Sequence, residues 1–248
     1  MSYGIFASYY DLLTGNVDYK EYAKRIDELV AKHRGKRGKL VDLACGTASL
    51  SLELEKLGYT VTGCDLSCDM LTYAAQKKYS QGSRITLVQQ DMTALSLPGR
   101  ADVFVCSLDA LNHLECLIFV EMTFARVAKY MKKDSLFIFD MNTVYKHKHV
   151  LADNAFVFDT DEVFVTWQNE YNDMERSVLI TLDFFVPDEE ENFQRYSESF
   201  KEMAYSVDEI EKSLDNAGLR VIEMYDDLTN DLPHEKTERI LFVCGLKK

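Results

Sequence analysis

The 248-residue sequence predicts an α/β fold in which a doubly wound, mostly parallel sheet of seven strands carries an antiparallel β insert. Two observations predict it. Short apolar runs alternate with amphipathic, helix-like segments from residue 39 to residue 141, which is typical of a parallel sheet with helices on both faces. From Phe156 to Tyr205 the helical period disappears and polar residues alternate with apolar ones, which indicates antiparallel strands.

The parallel part begins after a helix that the apolar spacing predicts over residues 18–33. Its first strand is Lys39–Leu43, a short apolar run that ends in small residues. Ser67 is suited to cap a following helix, because its side chain can accept a hydrogen bond from a free N–H at the helix start. The other strands are predicted at Tyr59–Cys64, Arg84–Gln89, Ala101–Ser107 and Ser135–Met141, and the intervening helices at Leu50–Leu57, Asp69–Tyr79 and Leu114–Tyr130.

The insert is predicted to contain three strands joined by turns. They begin near Phe164, at Ser177 and at Phe193, and the turn signal Asn172-Asp173 separates the first two. A helix at Val207–Asn216 and strands at Leu219–Tyr225 and Arg239–Leu246 complete the sheet. The chain therefore divides into a helical segment, 1–38, an α/β domain, 39–150 with 206–248, and the antiparallel insert, 151–205.

The charge balance of the chain indicates which kinds of binding partner are favoured. Acidic residues outnumber Lys and Arg by 41 to 28, and the net charge is −13. Nucleic-acid binders neutralise phosphates with clustered basic residues, so this composition disfavours a nucleic acid and favours a small metabolite or a basic protein.

Targeting and metal signals are missing from the sequence. No run reaches the roughly eighteen apolar residues of a membrane helix, and the first residues lack the basic and apolar regions of a secretion signal. The six cysteines lack C-x-x-C pairs, so they predict free thiols rather than a zinc site or a disulfide framework. A cytoplasmic protein with no membrane association and no metal is expected.

The segment Leu40–Ala48, followed by Asp65 nineteen residues after Gly46, indicates a nucleotide site. Small residues between a strand and a helix let the backbone approach a ligand, and an acid at the next strand's tip can accept from ribose hydroxyls. Asp42 selects among ligands, because a carboxylate before the turn would repel a pyrophosphate resting on the following helix. S-adenosylmethionine, with its adenosine end and cationic amino-acid end, fits this pattern, and NAD does not.

The segments 42–48 (Asp-Leu-Ala-Cys-Gly-Thr-Ala), 63–67 (Gly-Cys-Asp-Leu-Ser) and Met70-Leu71 resemble the class I S-adenosylmethionine-dependent methyltransferases. Ala44 and Ala48 replace the outer glycines of the family's acid-small-x-Gly-x-Gly pattern, and alanine preserves close approach wherever the backbone needs no positive φ. The resemblance covers nearly the whole chain and is most specific over 40–112. It implies a Rossmann-like sheet, an N-terminal lid over 1–38 and an insert that roofs the acceptor site.

The resemblance assigns roles to the donor-binding residues. Asp65 is expected to bind the ribose hydroxyls, and Asp91 the adenine amino group while Met92 packs on the ring. Helix capping is the alternative for both acids. Asp42 is expected either to hold the methionine end or to support the turn. The predicted donor-binding set is Tyr10, Asp42, Ala44, Gly46, Ala48, Asp65, Leu66, Met70, Asp91, Met92 and Ser107.

The acceptor side is expected to begin at Ser107–His113, which matches the family segment that passes the donor methyl. Asp109 and Asn112 can face the acceptor there. His113 is the candidate general base, because imidazole titrates near neutral pH, although capping its helix is the alternative. Trp167 and Tyr171 fall on one face of a strand and are predicted to line the acceptor pocket, with core or dimer packing as the alternative.

Three function classes are compared with this pattern. The first is a methyltransferase that transfers a methyl group to nitrogen or oxygen of a small molecule by in-line displacement. The second, an NAD(P)-linked oxidoreductase, would need a G-x-G-x-x-G turn and no acid at Asp42, and the sequence supplies neither. The third is a catalytically silent domain that binds S-adenosylmethionine or a protein partner. A homodimer through the insert is compatible with all three.

Overall fold

The computed structural model describes residues 4–188 and 192–247, and eleven strands and seven helices lie within these ranges. The strands are Lys39–Leu43 (β1), Thr60–Asp65 (β2), Thr86–Gln89 (β3), Ala101–Cys106 (β4), Met131–Asn142 (β5), Ala155–Asp159 (β6), Phe164–Asn172 (β7), Ser177–Pro187 (β8), Phe193–Met203 (β9), Leu219–Asp226 (β10) and Arg239–Leu246 (β11). The helices are Gly4–Leu13 (α1), Tyr19–His33 (α2), Ser49–Lys56 (α3), Cys68–Ser80 (α4), Leu117–Tyr130 (α5), Val144–Lys146 (α6) and Val207–Asn216 (α7).

The large sheet has seven strands in the order β10-β11-β5-β4-β1-β2-β3. Strands β1 to β5 run parallel, and β11 is antiparallel to both of its neighbours. The predicted doubly wound, mostly parallel sheet is therefore confirmed. Apolar residues fill both faces of the central strands, so that in β4 Phe104 packs into the core on one side and Val103 and Val105 into the core on the other.

The insert forms a second, antiparallel sheet in the order β6-β7-β8-β9. The prediction of three strands was wrong, because Ala155–Asp159 also pairs with β7. This edge strand begins with four consecutive apolar residues and therefore lacks the alternation that identified the others. One insert face buries Val165, Ile180 and Phe184 against α1.

Helix α1 connects the two sheets and is fixed at both ends. At its start, the Glu198 carboxylate of β9 accepts hydrogen bonds from the backbone N–H groups of Ile5, at 2.8 Å, and Phe6, at 3.1 Å. Near its end, Asp11 accepts from the Thr47 hydroxyl at 2.6 Å and pairs with Lys77 of α4 at 2.5 Å. These bonds hold α1 across the edge of the large sheet where β1 and β2 end.

Helix lengths bear on membrane insertion. Among the described residues, none of the helices has both the length and the apolar character needed to cross a bilayer.

The turn after β1 has left-handed backbone at three positions. The φ angles are +52° at Ala44, +53° at Gly46 and +64° at Ala48. Both alanines thus occupy the conformation that was expected to be avoided there. Left-handed backbone costs an L-residue roughly 1–2 kcal/mol, whereas glycine adopts it freely. The turn therefore holds strain in the segment that opens toward the ligand.

Ala44→Gly should raise the free energy of unfolding by about 1 kcal/mol, because it relieves this strain at a half-buried position. Urea denaturation of both proteins measures the change. Ala75→Gly is the matched control, since Ala75 is exposed inside α4 and the same substitution should lower stability there by about 1 kcal/mol. Equal losses in the two variants would contradict a strained turn.

Candidate active site

A cleft of about 820 Å³ lies at the carboxyl ends of the parallel strands, between the large sheet, α1 and the insert. Its centre is the point between β1 and β4 where the strand order reverses, the usual ligand position in such sheets. Most of the predicted site residues line it together: Tyr10, Ala44, Gly46, Asp65, Leu66, Met70, Asp91, Met92, Ser107, Asp109, His113 and Trp167.

Asp65 at the tip of β2 is held rigidly. One carboxylate oxygen accepts from the Gly46 N–H at 2.7 Å, and the other accepts from the Ser67 N–H at 2.8 Å. Burial raises the pKa of Asp65, and these N–H bonds partly offset the increase. Each oxygen keeps a second lone pair, so the carboxylate can also accept from two neighbouring hydroxyls.

Asp91 caps a short helix and also lines the cleft. Its Oδ1 accepts from both the backbone N–H and the hydroxyl of Thr93, each at 2.8 Å, and so caps the short 3₁₀ helix Met92–Ala94. Asp91 also lines the cleft, beside Met92. The second oxygen has no hydrogen-bond partner among the described residues, and it is available to a ligand amino group.

Asp42 and Ala48 do not line the cleft, so the geometry places neither residue in direct contact with a ligand. Asp42 is only 1% exposed and accepts from the Ser51 hydroxyl of α3 at 2.6 Å. Burial, together with the charge of Asp65, raises the pKa of Asp42 to about 7. Ala48 is fully buried at the start of α3. Both residues support the turn from behind, because β1 points its alternate side chains into the core.

The loop after β4 is shaped by a buried carboxylate that the sequence analysis did not single out. Leu108 and Asp109 are left-handed, with φ of +57° and +53°, and their N–H groups both donate to Asp140 of β5 at 2.7 Å. The Tyr22 hydroxyl and the Arg239 guanidinium also donate to Asp140. The sequence signal for Asp140 was its position directly after the apolar run Leu136–Phe139. Asp65 likewise follows a strand-like run.

Asp109 faces the cleft as an ionised group. Its carboxylate accepts from Arg239 Nη2 at 2.7 Å. Burial alone would raise the pKa of Asp109, but the charges of Arg239, Lys146 and His113 outweigh it and lower the pKa to about 2. A fixed negative charge therefore lies directly after the loop.

Asn112 does not face an acceptor. It is fully buried, donates to the Met203 carbonyl at 2.8 Å and accepts from the Asn142 N–H at 2.9 Å. Through these hydrogen bonds, the Asn112 side-chain amide joins the loop after β4 to β5 and to the end of β9. The expected acceptor contact is replaced by this connection between the sheets.

Tyr171 also lies off the cleft lining, where its hydroxyl is 3.4 Å from Asp173. Trp167 lines the cleft four residues earlier in β7. Four residues span about 13 Å along a strand, so one strand face extends beyond the cleft edge. The two-residue period correctly predicted that Trp167 and Tyr171 lie on the same side of β7. It did not predict how far the cleft extends along that strand.

His113 and Glu202 lie close together in the lining of the cleft. The His113 ring packs on Phe200, with centroids 5.1 Å apart, and its Nε2 lies 4.0 Å from Glu202 Oε1. Glu202 is 4% exposed and was missed by the sequence analysis. The signal was the period-two pattern Glu198, Phe200, Glu202, which puts all three on one face of β9.

Comparison with known proteins defines the family. Residues 40–134 match the family model described as a methyltransferase domain. A protein of Geobacillus sp. (strain WCH70) named as a methyltransferase is 33% identical, over 98% of this chain and 99% of its own length. The crystal structure of an S-adenosylmethionine-dependent methyltransferase from Clostridium acetobutylicum is 33% identical, with a TM-score of 0.88 over 97% of this chain and 96% of that one.

A more distant relative has a defined substrate in its name. The dTDP-3-amino-3,6-dideoxy-alpha-D-glucopyranose N,N-dimethyltransferase of Streptomyces fradiae is 24% identical over 88% of this chain and 85% of its own length. Taken with the closer matches, the chain belongs to the S-adenosylmethionine-dependent methyltransferases. The donor supplies an activated methyl group, and the rigid Asp65 carboxylate with its open lone pairs fits the donor's ribose.

Asp65→Ala should weaken S-adenosylhomocysteine binding by about 1.5–3 kcal/mol, the scale for losing hydrogen bonds to a charged acceptor. The loss includes the hydrogen bonds that the carboxylate accepts from the Gly46 and Ser67 N–H groups. Isothermal titration calorimetry measures the affinity, and Asp161→Ala at an exposed turn of the insert is the control. Unchanged affinity in a folded Asp65→Ala protein would remove Asp65 from the ribose site.

The raised pKa of Asp42 predicts a pH-dependent stability. The unfolded chain releases this proton near pH 4, whereas the folded protein keeps it until about pH 7. Its contribution to stability therefore falls as pH rises through that window. Between pH 5 and 7.5, the free energy of unfolding of the wild type should therefore decline. In Asp42→Asn, urea denaturation should show a decline that is smaller by about 2 kcal/mol. Equal declines in Asp42→Asn and the wild type would contradict the shift, and Asp161→Asn should leave the decline unchanged.

Proposed function

We propose that the protein methylates nitrogen or oxygen of a small-molecule acceptor by in-line displacement. The observation that carries the proposal is the size of the cleft. Ligand clefts commonly measure about 300–1,000 Å³. At about 820 Å³ this one has room for the donor and a small acceptor beside it. The net charge of −13 further disfavours nucleic acid.

The arrangement of the cleft supports separate ends for donor and acceptor. Asp65 and Asp91 lie at the strand tips on one side, where the adenosine would bind. Tyr10 of α1 lies above the turn after β1, and a Cβ at Gly46 would be 3.7 Å from its ring. Trp167, with Phe156 and Phe158 around it, lies on the insert side. The loop Ser107–His113 runs between the two ends.

The chain's work in this reaction is to align the two ligands and exclude water, since the sulfonium methyl is already activated. Aromatic side chains of the insert and α1 would enclose the acceptor. A base is needed when the acceptor arrives with a proton on the attacking atom. His113 is proposed as that base because it lines the cleft between the loop and Glu202.

The relative from S. fradiae adds support, since its name describes methylation of an amino group on a small sugar nucleotide. Pairing of two copies through the insert remains a prediction.

The test is turnover of isotope-labelled S-adenosylmethionine with three acceptor preparations from a cytoplasmic extract. These preparations are the metabolites below a cut-off of 1 kDa, the nucleic acids and the proteins. Label in the metabolites supports the proposal, and label only in macromolecules overturns it. Binding of S-adenosylhomocysteine with no transfer to any preparation would identify a silent donor-binding domain.

His113→Gln should lower kcat about 10²–10⁴-fold, the usual cost of losing a positioned general base. Affinity for S-adenosylhomocysteine, measured by isothermal titration calorimetry, should stay within twofold of wild type. Steady-state kinetics measure kcat. Full activity would show that alignment alone suffices, leaving His113 as a packing residue against Phe200.

A further inference from the structure

We infer that the acceptor is a primary or secondary amine that enters as a cation, and that Glu202 binds its ammonium group. The inference rests on the proposed small-molecule function and narrows its substrate class. It starts from three side chains on different elements: Asp109 after β4, His113 in the following 3₁₀ turn and Glu202 on β9. One potential ligand atom from each lies within 4.8 Å of the other two.

The spacing of these atoms suits an ammonium nitrogen. Charge-assisted N–H bonds of about 2.7–2.9 Å around a tetrahedral nitrogen place the acceptors about 4.4–4.7 Å apart. The separation of 4.0 Å between His113 Nε2 and Glu202 Oε1 is close to this range. Two ligands of one tetrahedral zinc ion would lie about 3.3–3.4 Å apart, given metal–ligand distances of about 2.0–2.1 Å. Asp109 is also occupied by Arg239, which opposes a metal ion at this position.

Glu202 is oriented from behind. Its Oε2 accepts from Asn142 Nδ2 at 3.1 Å and lies 3.2 Å from His147 Nε2. His147 is fully buried in the single π-helical turn His147–Leu151, and its Nδ1 lies 2.8 Å from the Thr143 carbonyl. A carbonyl can only accept, so His147 Nδ1 carries a proton. These contacts turn the other oxygen, Oε1, toward His113.

Unpaired atoms mark the cluster as incomplete. His147 Nε2 faces Glu202 without the alignment of a hydrogen bond, and His113 Nδ1 is buried without a partner among the described residues. Glu202 Oε1 likewise accepts no hydrogen bond from them. Buried polar atoms are nearly always paired. A bound group with several N–H donors would supply Glu202 Oε1 with partners that the described residues do not.

Charge and aromatic surface both favour a cation. The carboxylates that interact around the cluster, Asp65, Asp109, Asp140 and Glu202, outnumber the cations Arg239 and Lys146. Phe200 and Trp167 line the same part of the cleft, and aromatic faces attract organic cations. An anionic acceptor would meet repulsion from these carboxylates.

The chemistry follows from this placement. The bound ammonium first gives one N–H proton to the neutral imidazole of His113. The freed nitrogen lone pair then forms the new N–C bond while the donor's C–S bond breaks, and sulfur keeps that electron pair. The methylated product is again an ammonium, held by Glu202 and Asp109, and the His113 proton leaves to solvent.

The experiment separates the small-molecule extract at pH 7 by ion exchange into cationic, neutral and anionic pools, each freed of endogenous donor. Wild type, Glu202→Gln and the matched control Glu170→Gln, an exposed position on β7, are assayed with labelled S-adenosylmethionine. Label should enter the cationic pool. Glu202→Gln should lower kcat/KM there at least 100-fold, with S-adenosylhomocysteine affinity within twofold of wild type, and Glu170→Gln should match wild type.

Each other outcome contradicts a definite part. Label in the neutral or anionic pool alone overturns the amine and leaves the small-molecule function standing, whereas no label in any pool overturns that function. An active Glu202→Gln protein removes Glu202 from the site. Activity lost on dialysis against EDTA and restored by Zn²⁺ or Mg²⁺ would assign the cluster to a metal. If Glu202→Gln does not fold, Glu202→Asp, which keeps the carboxylate but shortens its reach, should show an intermediate loss.

Discussion

The cleft depends on the carboxylate of Asp140, which accepts from both N–H groups of the left-handed pair Leu108-Asp109. Without a buried acceptor at this point, two consecutive non-glycine residues would not stay left-handed, since each costs roughly 1–2 kcal/mol. The same carboxylate orders Tyr22 of α2 and Arg239 of β11. Arg239 in turn ionises Asp109. One buried acid therefore sets both the shape and the charge of the loop after β4.

The donor side repeats this arrangement. Asp65 ends β2 as Asp140 lies near the end of β5, and it also accepts from backbone N–H groups, one of them the N–H of left-handed Gly46 in the adjacent turn. In both cases a strand in the core fixes the acid and the acid fixes a loop. The loops can then hold strained backbone, as at Ala44 and Ala48, because the surrounding hydrogen bonds determine their conformation. Strain is concentrated where the ligand must approach the backbone.

The insert completes the cleft instead of standing apart from it. Its strand β9 caps α1 through Glu198, receives Asn112 at the carbonyl of Met203 and presents Glu202 to His113. These three contacts tie β9 to the N-terminal helix and to the loop after β4.

The sequence by itself determined the parallel sheet, the turn after β1 and the acid at Asp65, because strand period, small residues and chain spacing are local properties. Most of the residues that it assigned to the site also line the cleft. Only the tertiary structure decided the rest. It turned Asp42 and Asn112 away from the cleft, ended the cleft before Tyr171 and added the edge strand β6. It also brought Asp140, Arg239 and Glu202 to the loop after β4 from positions 30 to 130 residues distant from it. Such meetings depend on which strands become neighbours and on hydrogen bonds between distant segments, and a local pattern carries neither.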